Sequence, residues 1–82
     1  MTLGSSFLCE TAPRILLTKQ DDIAIVTLNR PRKYNALDLG MFDAIVRTVE
    51  ELRIDRTVRV VLLRGEGKVF SAGLDFKSVA SN

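Results

Sequence analysis

The chain has 82 residues and a formal net charge of +2, which is room for one small domain burying roughly 60% of the surface of its unfolded chain. So small a charge, with no basic stripe interleaved with aromatics, argues against a nucleic-acid binder. The single cysteine, Cys9, excludes an internal disulfide, and the absence of histidine excludes Ser-His-Asp and Cys-His catalysis and most zinc sites from within this chain.

Residues 1–13 mix small and polar types without a sustained period and are expected to be a flexible leader, with Pro13 marking its end. No apolar run approaches the ~20 residues of a membrane span. The first residues lack the basic region of a secretory signal and the arginines of a transit peptide, so the expected compartment is the cytoplasm. Residues 14–82 are expected to form the folded part. Arg14 to Lys19 and Ile23 to Leu28 read as two strands joined through Gln20-Asp21-Asp22, a plausible hairpin. Pro31 stops the second strand, since it has no N–H to give to a ladder, and Arg32 to Asn35 reads as an exposed polar loop.

Asp38 is an N-cap candidate for a helix reaching about Ile54. Phe42, Ile45, Val46, Val49 and Leu52 recur at helical spacing as its apolar face, and Arg47 is placed to pair with Glu50 or Glu51. Val58 and Val60 to Leu63 form a nearly unbroken apolar run, the pattern of a strand buried on both faces. Strand, helix and buried strand imply a crossover onto a parallel neighbour.

Gly65-Glu66-Gly67 ends that strand. It lacks the spacing of a phosphate-binding loop and reads as a turn. Ser71-Ala72-Gly73-Leu74 then places small side chains at a second turn, where backbone N–H groups can meet an anion or an oxyanion. Taken alone, it is also what an ordinary glycine turn looks like.

Phe70 to Asp75 (F-S-A-G-L-D), with Leu28 to Leu37 (L-N-R-P-R-K-Y-N-A-L) upstream, resembles the crotonase superfamily of enoyl-CoA hydratases, isomerases and related acyl-CoA enzymes. The resemblance runs from about Ile23 to Lys77 and covers the front of the family's domain. It implies an α/β fold, the beginning of a ββα spiral: β-hairpin, amphipathic helix, buried strand and oxyanion-type turn, incomplete. It implies hydration or double-bond isomerisation of an acyl-CoA, with the CoA thioester as substrate and no metal or redox cofactor. By this resemblance the backbone N–H of Leu74 is one donor of the oxyanion hole. Lys33, Ala36, Leu37, Ala72, Gly73, Asp75 and Phe76 fall on the CoA or substrate path. Asp75 reads equally as a structural carboxylate at a helix start. In the family the second donor and the catalytic carboxylates follow the F-S-A-G-L-D turn, and Glu50, Glu51 and Glu66 match none of them. Family members are usually homo-oligomeric, and in eukaryotes a mitochondrial or peroxisomal location is open. Two further readings stand beside the enzyme: a non-catalytic truncated fragment, and an interaction module that pairs with a full-length relative.

Overall fold

The computed structural model describes residues 13–80. Cys9 and all of the expected leader except Pro13 lie outside them. Strands β1 (Ile15–Gln20) and β2 (Ile23–Leu28) are followed by a 3-10 turn (Pro31–Lys33), helix α1 (Leu39–Arg53), strand β3 (Val60–Gly65) and the short helix α2 (Phe76–Ala80).

The two-residue turn Asp21-Asp22 closes an antiparallel hairpin with Ile15 opposite Leu28 and Gln20 opposite Ile23. Asp21 takes the left-handed conformation, at φ 58°, which aspartate tolerates better than most residues. β3 then lies parallel to β2, from Ile23 opposite Val60 to Leu28 opposite Gly65, giving the order β1-β2-β3. Parallel neighbours need a long crossover, and α1 is that crossover. Flanked on both edges, β2 carries most of the core: Ala24, Val26, Thr27 and Leu28 are buried.

α1 starts where expected, its first turn closed by Asp38, which accepts the Met41 N–H at 2.8 Å. Its covered stripe differs from the expected one. Met41 is fully buried, and Ala44, Ile45, Thr48 and Leu52 are half-buried, whereas Phe42, Val46 and Val49 stay exposed. The stripe that meets the sheet is thus turned toward Met41, while Phe42 and Val46 stay exposed and Val49 borders an open groove beside the sheet. Arg47 pairs with Asp43, not with a glutamate; the partner one turn upstream gives the acid-before-base orientation that helices favour.

The larger correction concerns β3. Val60, Val61, Leu62 and Leu63 are each 51–53% exposed, although their run predicts burial on both faces. β3 is an outer strand of the sheet, and no described element pairs with its far edge or packs over it. Between α1 and the sheet runs an apolar groove of about 330 Å³, lined by Val26, Leu28, Val49, Val61 and Leu63 among others. No described helix is long and apolar enough to cross a membrane.

Candidate functional site

Two loops at one end of the sheet meet, and a single asparagine joins them. Tyr34 and Asn35 both adopt left-handed backbone, at φ 52° and 56°, which reverses the chain and turns the Asn35 amide inward. Asn35 is fully buried, which corrects the expectation of an exposed loop at that residue, whereas Arg32, Lys33 and Tyr34 are exposed as expected. Its Oδ1 accepts the Arg30 N–H at 2.7 Å, and its Nδ2 donates to the carbonyls of Glu66 (2.9 Å) and Val69 (3.0 Å). Every polar atom of the amide is therefore satisfied, as burial requires. Gly65 makes room for this clasp. A Cβ there would lie 2.3 Å from the Phe70 carbonyl oxygen and 2.8 Å from Asn35 Nδ2.

Beyond the clasp the loops are laced by backbone. The Ala72 N–H donates to the Tyr34 carbonyl at 2.8 Å, and the Ser71 hydroxyl donates to the Asn35 carbonyl at 2.8 Å. Leu37 donates to the Gly73 carbonyl at 2.7 Å and accepts from the Asp75 N–H at 2.9 Å, an isolated parallel bridge around Leu74. Gly73, at φ 92°, makes the bend, a conformation that only glycine adopts without cost. Its own N–H donates to the Ser71 hydroxyl at 3.0 Å.

Of the four successive amides from Ala72 to Asp75, three are thus engaged. The fourth, Leu74, makes no hydrogen bond among the described residues. The bridge explains why. A residue flanked by both bonds of a parallel pairing presents its own N–H and C=O to the opposite side, so the Leu74 amide faces away from Leu37. Its side chain is partly exposed.

Charges fix the frame. Arg30 Nη1 donates to Asp75 Oδ2 at 2.8 Å and to the Ala36 carbonyl at 3.1 Å, and its Nη2 lies 3.4 Å from Asp38 Oδ2. Arg14 forms a fork on Asp38, at 3.2 and 2.7 Å. The Arg14 hydrogen bond, with help from the Met41 N–H, holds the Asp38 carboxyl below its usual range. The Arg30 hydrogen bond does the same for Asp75, reinforced by the Ser78 N–H at 3.1 Å.

The structure therefore brings Ala36, Leu37, Ala72, Gly73, Leu74 and Asp75 to one place. The carboxylate of Asp75 is engaged by Arg30 and caps α2, as the structural reading expected. Lys33 sits at the end of the 3-10 turn, exposed, its carbonyl accepting the Ala36 N–H and its ammonium in no ion pair among the described residues. Phe76 projects from α2 with its ring largely exposed. Sequence reasoning missed Arg30, Asn35 and Ser71. The signal for Asn35 was present: an asparagine just before an apolar pair, a residue type suited to left-handed backbone.

A family model described as enoyl-CoA hydratase/isomerase matches residues 18–82. The chain is 43% identical over 67 residues to a Mycobacterium leprae protein named "Probable enoyl-CoA hydratase echA8", covering 82% of this chain and 26% of that one. It is 33% identical to the mitochondrial Delta(3,5)-Delta(2,4)-dienoyl-CoA isomerase of Dictyostelium discoideum, over 96% of this chain and 28% of the relative. Among solved structures it superimposes on the enoyl-CoA hydratase EchA1 of Mycobacterium marinum with a TM-score of 0.81 and 33% identity, over 85% of this chain and 28% of that one. The chain spans about a quarter of the length of these relatives. Its matched motifs, its hairpin–helix–strand order and its superposition agree: the chain belongs to the enoyl-CoA hydratase/isomerase family of the crotonase superfamily.

Proposed function

We propose that this chain holds an acyl-CoA thioester against the turn at Gly73, where the Leu74 N–H donates to the thioester carbonyl. The observation that carries this reading is that one amide: the only one in the 72–75 run left unengaged by the described residues, on a bend fixed at both ends. A thioester oxygen gains negative charge when a proton is moved from the adjacent carbon, and a fixed N–H stabilises that charge as it develops. Backbone at Ala36 and Leu37 and the small surface of Ala72 and Gly73 form the near wall of the path, Lys33 supplies a cation for the CoA phosphates, and Phe76 an apolar contact.

Nothing in the turn moves a proton. The Asp75 carboxylate is engaged by Arg30, and the Glu66 carboxylate lies exposed at the surface, 3.8 Å from Arg64 Nη2. The chain by itself therefore binds and polarises the thioester without turning it over, as a general acid or base is needed for hydration or isomerisation. Titration with a short 2-enoyl-CoA labelled with ¹³C at the thioester carbon tests this. Saturable binding with a downfield carbonyl shift, and no hydration or isomerisation, is expected. Binding without a carbonyl shift, or no binding at millimolar ligand, overturns it.

A second reading is favoured by the bare strand. Because the Val60 and Glu66 N–H groups donate to Asp22 and Leu28, the alternate residues Val61, Leu63 and Gly65 present their backbone groups to the open edge. A full-length relative could pair there, making this chain an interaction module; co-sedimentation with such a relative distinguishes it.

A further inference from the structure

Arg30 stands at the one point where three pieces of the site converge. Its guanidinium, with a side chain only 16% exposed, reaches the Ala36 carbonyl in the loop before α1, the Asp38 N-cap of α1, and the Asp75 carboxylate that follows the turn. These partners lie 6, 8 and 45 residues along the chain, so one planar cation joins segments that local sequence does not. The three partners do not depend on it equally. Asp38 keeps a second cation, Arg14, and the Met41 N–H. Among the described residues Asp75 pairs with no other cation, and it keeps the backbone N–H of Ser78. Without Arg30 the two carboxylates would face one another with only Arg14 to balance them, and the turn would be the piece released.

We propose that Arg30 is the positioning residue of the Gly73–Asp75 turn: it locks the turn to the Ala36–Leu37 segment and so aims the Leu74 N–H. This rests on the thioester reading for its function, but not for its structural content. The planar fork matters as well as the charge. A lysine offers one compact ammonium on a flexible stem and does not span a carbonyl and two carboxylates in one geometry.

The test compares Arg30→Gln, Arg30→Lys and Arg14→Gln with the unaltered chain. The Arg14 variant loses an Asp38 partner and so controls for loss of stability. Amide exchange at Leu37 and Asp75, whose N–H groups lace the turn, is expected to quicken at least tenfold in Arg30→Gln relative to Ala24 and Val26 of β2, with a smaller effect in Arg30→Lys and none in Arg14→Gln. Should Arg30→Gln not fold, Asp75→Asn removes the same ion pair from its other end and must show the same local loosening. In the labelled enoyl-CoA titration, Arg30→Gln is expected to lose the carbonyl shift at saturation. Exchange that quickens uniformly, or equally in Arg14→Gln, overturns the proposal, as does a carbonyl shift retained in full. If the exchange result holds but the unaltered chain shows no carbonyl shift, the thioester reading falls and the positioning role stands.

Discussion

Asn35 is the side chain whose loss the two loops tolerate least. Alanine there leaves the Glu66 and Val69 carbonyls and the Arg30 N–H without partners, each costing about 1–3 kcal/mol when buried. Since some of them regain water on opening, Asn35→Ala is expected to lower stability by about 2–4 kcal/mol, read as a shift in the urea midpoint at unchanged slope. Leu74 behaves in the opposite way, because its function in this reading lies in the main chain. Leu74→Ala keeps the N–H and should keep the carbonyl shift of bound enoyl-CoA. Leu74→Pro removes the donor and should abolish that shift. Loss of an oxyanion donor is worth roughly 3 kcal/mol in enzymes with a complete site. If alanine abolishes the shift as proline does, the side chain and not the amide is the functional group.

Helix α1 and the turn are held by carboxylates that must stay ionised, and this sets a pH window. Asp38 and Asp75 both titrate below the ordinary aspartate value of 3.8 in the folded chain, chiefly through Arg14 and Arg30 respectively. A depressed folded value means that the unfolded chain binds protons first as pH falls. The stability these pairs contribute is complete above about pH 5, erodes through pH 4 and is lost as pH drops through the folded values. Thermal melts between pH 7 and 2.5 should show that fall, and Asp38→Asn should flatten part of it; a flat profile would remove the network from the account. Much of this architecture was legible in advance. The hairpin, the Asp38 cap and the Gly73 bend each follow from a residue type with a local preference, which is why they fall where expected, with β1 shifted by one residue to Ile15–Gln20. The residue type at Asn35 hinted at its left-handed backbone, but its partners at Glu66 and Val69 and the Arg30 junction were not legible, because both join segments 30 or more residues apart and nothing local at Arg30 announces a partner at Asp75. The helix stripe was misplaced for a related reason: Phe42, Val46 and Val49 are apolar, but which flank is covered depends on where β1 and β2 lie.

At the scale of the described residues, β3 is the strand left open. Its apolar run predicts burial on both faces, and the sheet places it at an edge with about half of each side chain in water. In the family's longer members the same strand lies within a chain roughly four times as long, so the sequence of β3 suits a setting that these 68 residues (13–80) do not supply. An outer strand whose N–H and C=O groups at Val61, Leu63 and Gly65 find no partner among the described residues, with no proline and charges only at its ends, is a template for pairing. The groove of about 330 Å³ beside it adds apolar surface on the α1 side. This chain should therefore self-associate as its concentration rises, through β3. Leu62 points away from the groove, whose lining takes Val61 and Leu63 instead, and it is already half exposed. Leu62→Lys should thus change the folded chain's melting point little while placing a charge on the bare face. Sedimentation velocity over a hundredfold concentration range is the measurement. The unaltered chain should shift to larger species, and Leu62→Lys should remain a monomer to higher concentration. A sedimentation coefficient that stays constant for the unaltered chain would mean that the edge is closed in solution, and the reading of β3 as an open pairing surface would go with it.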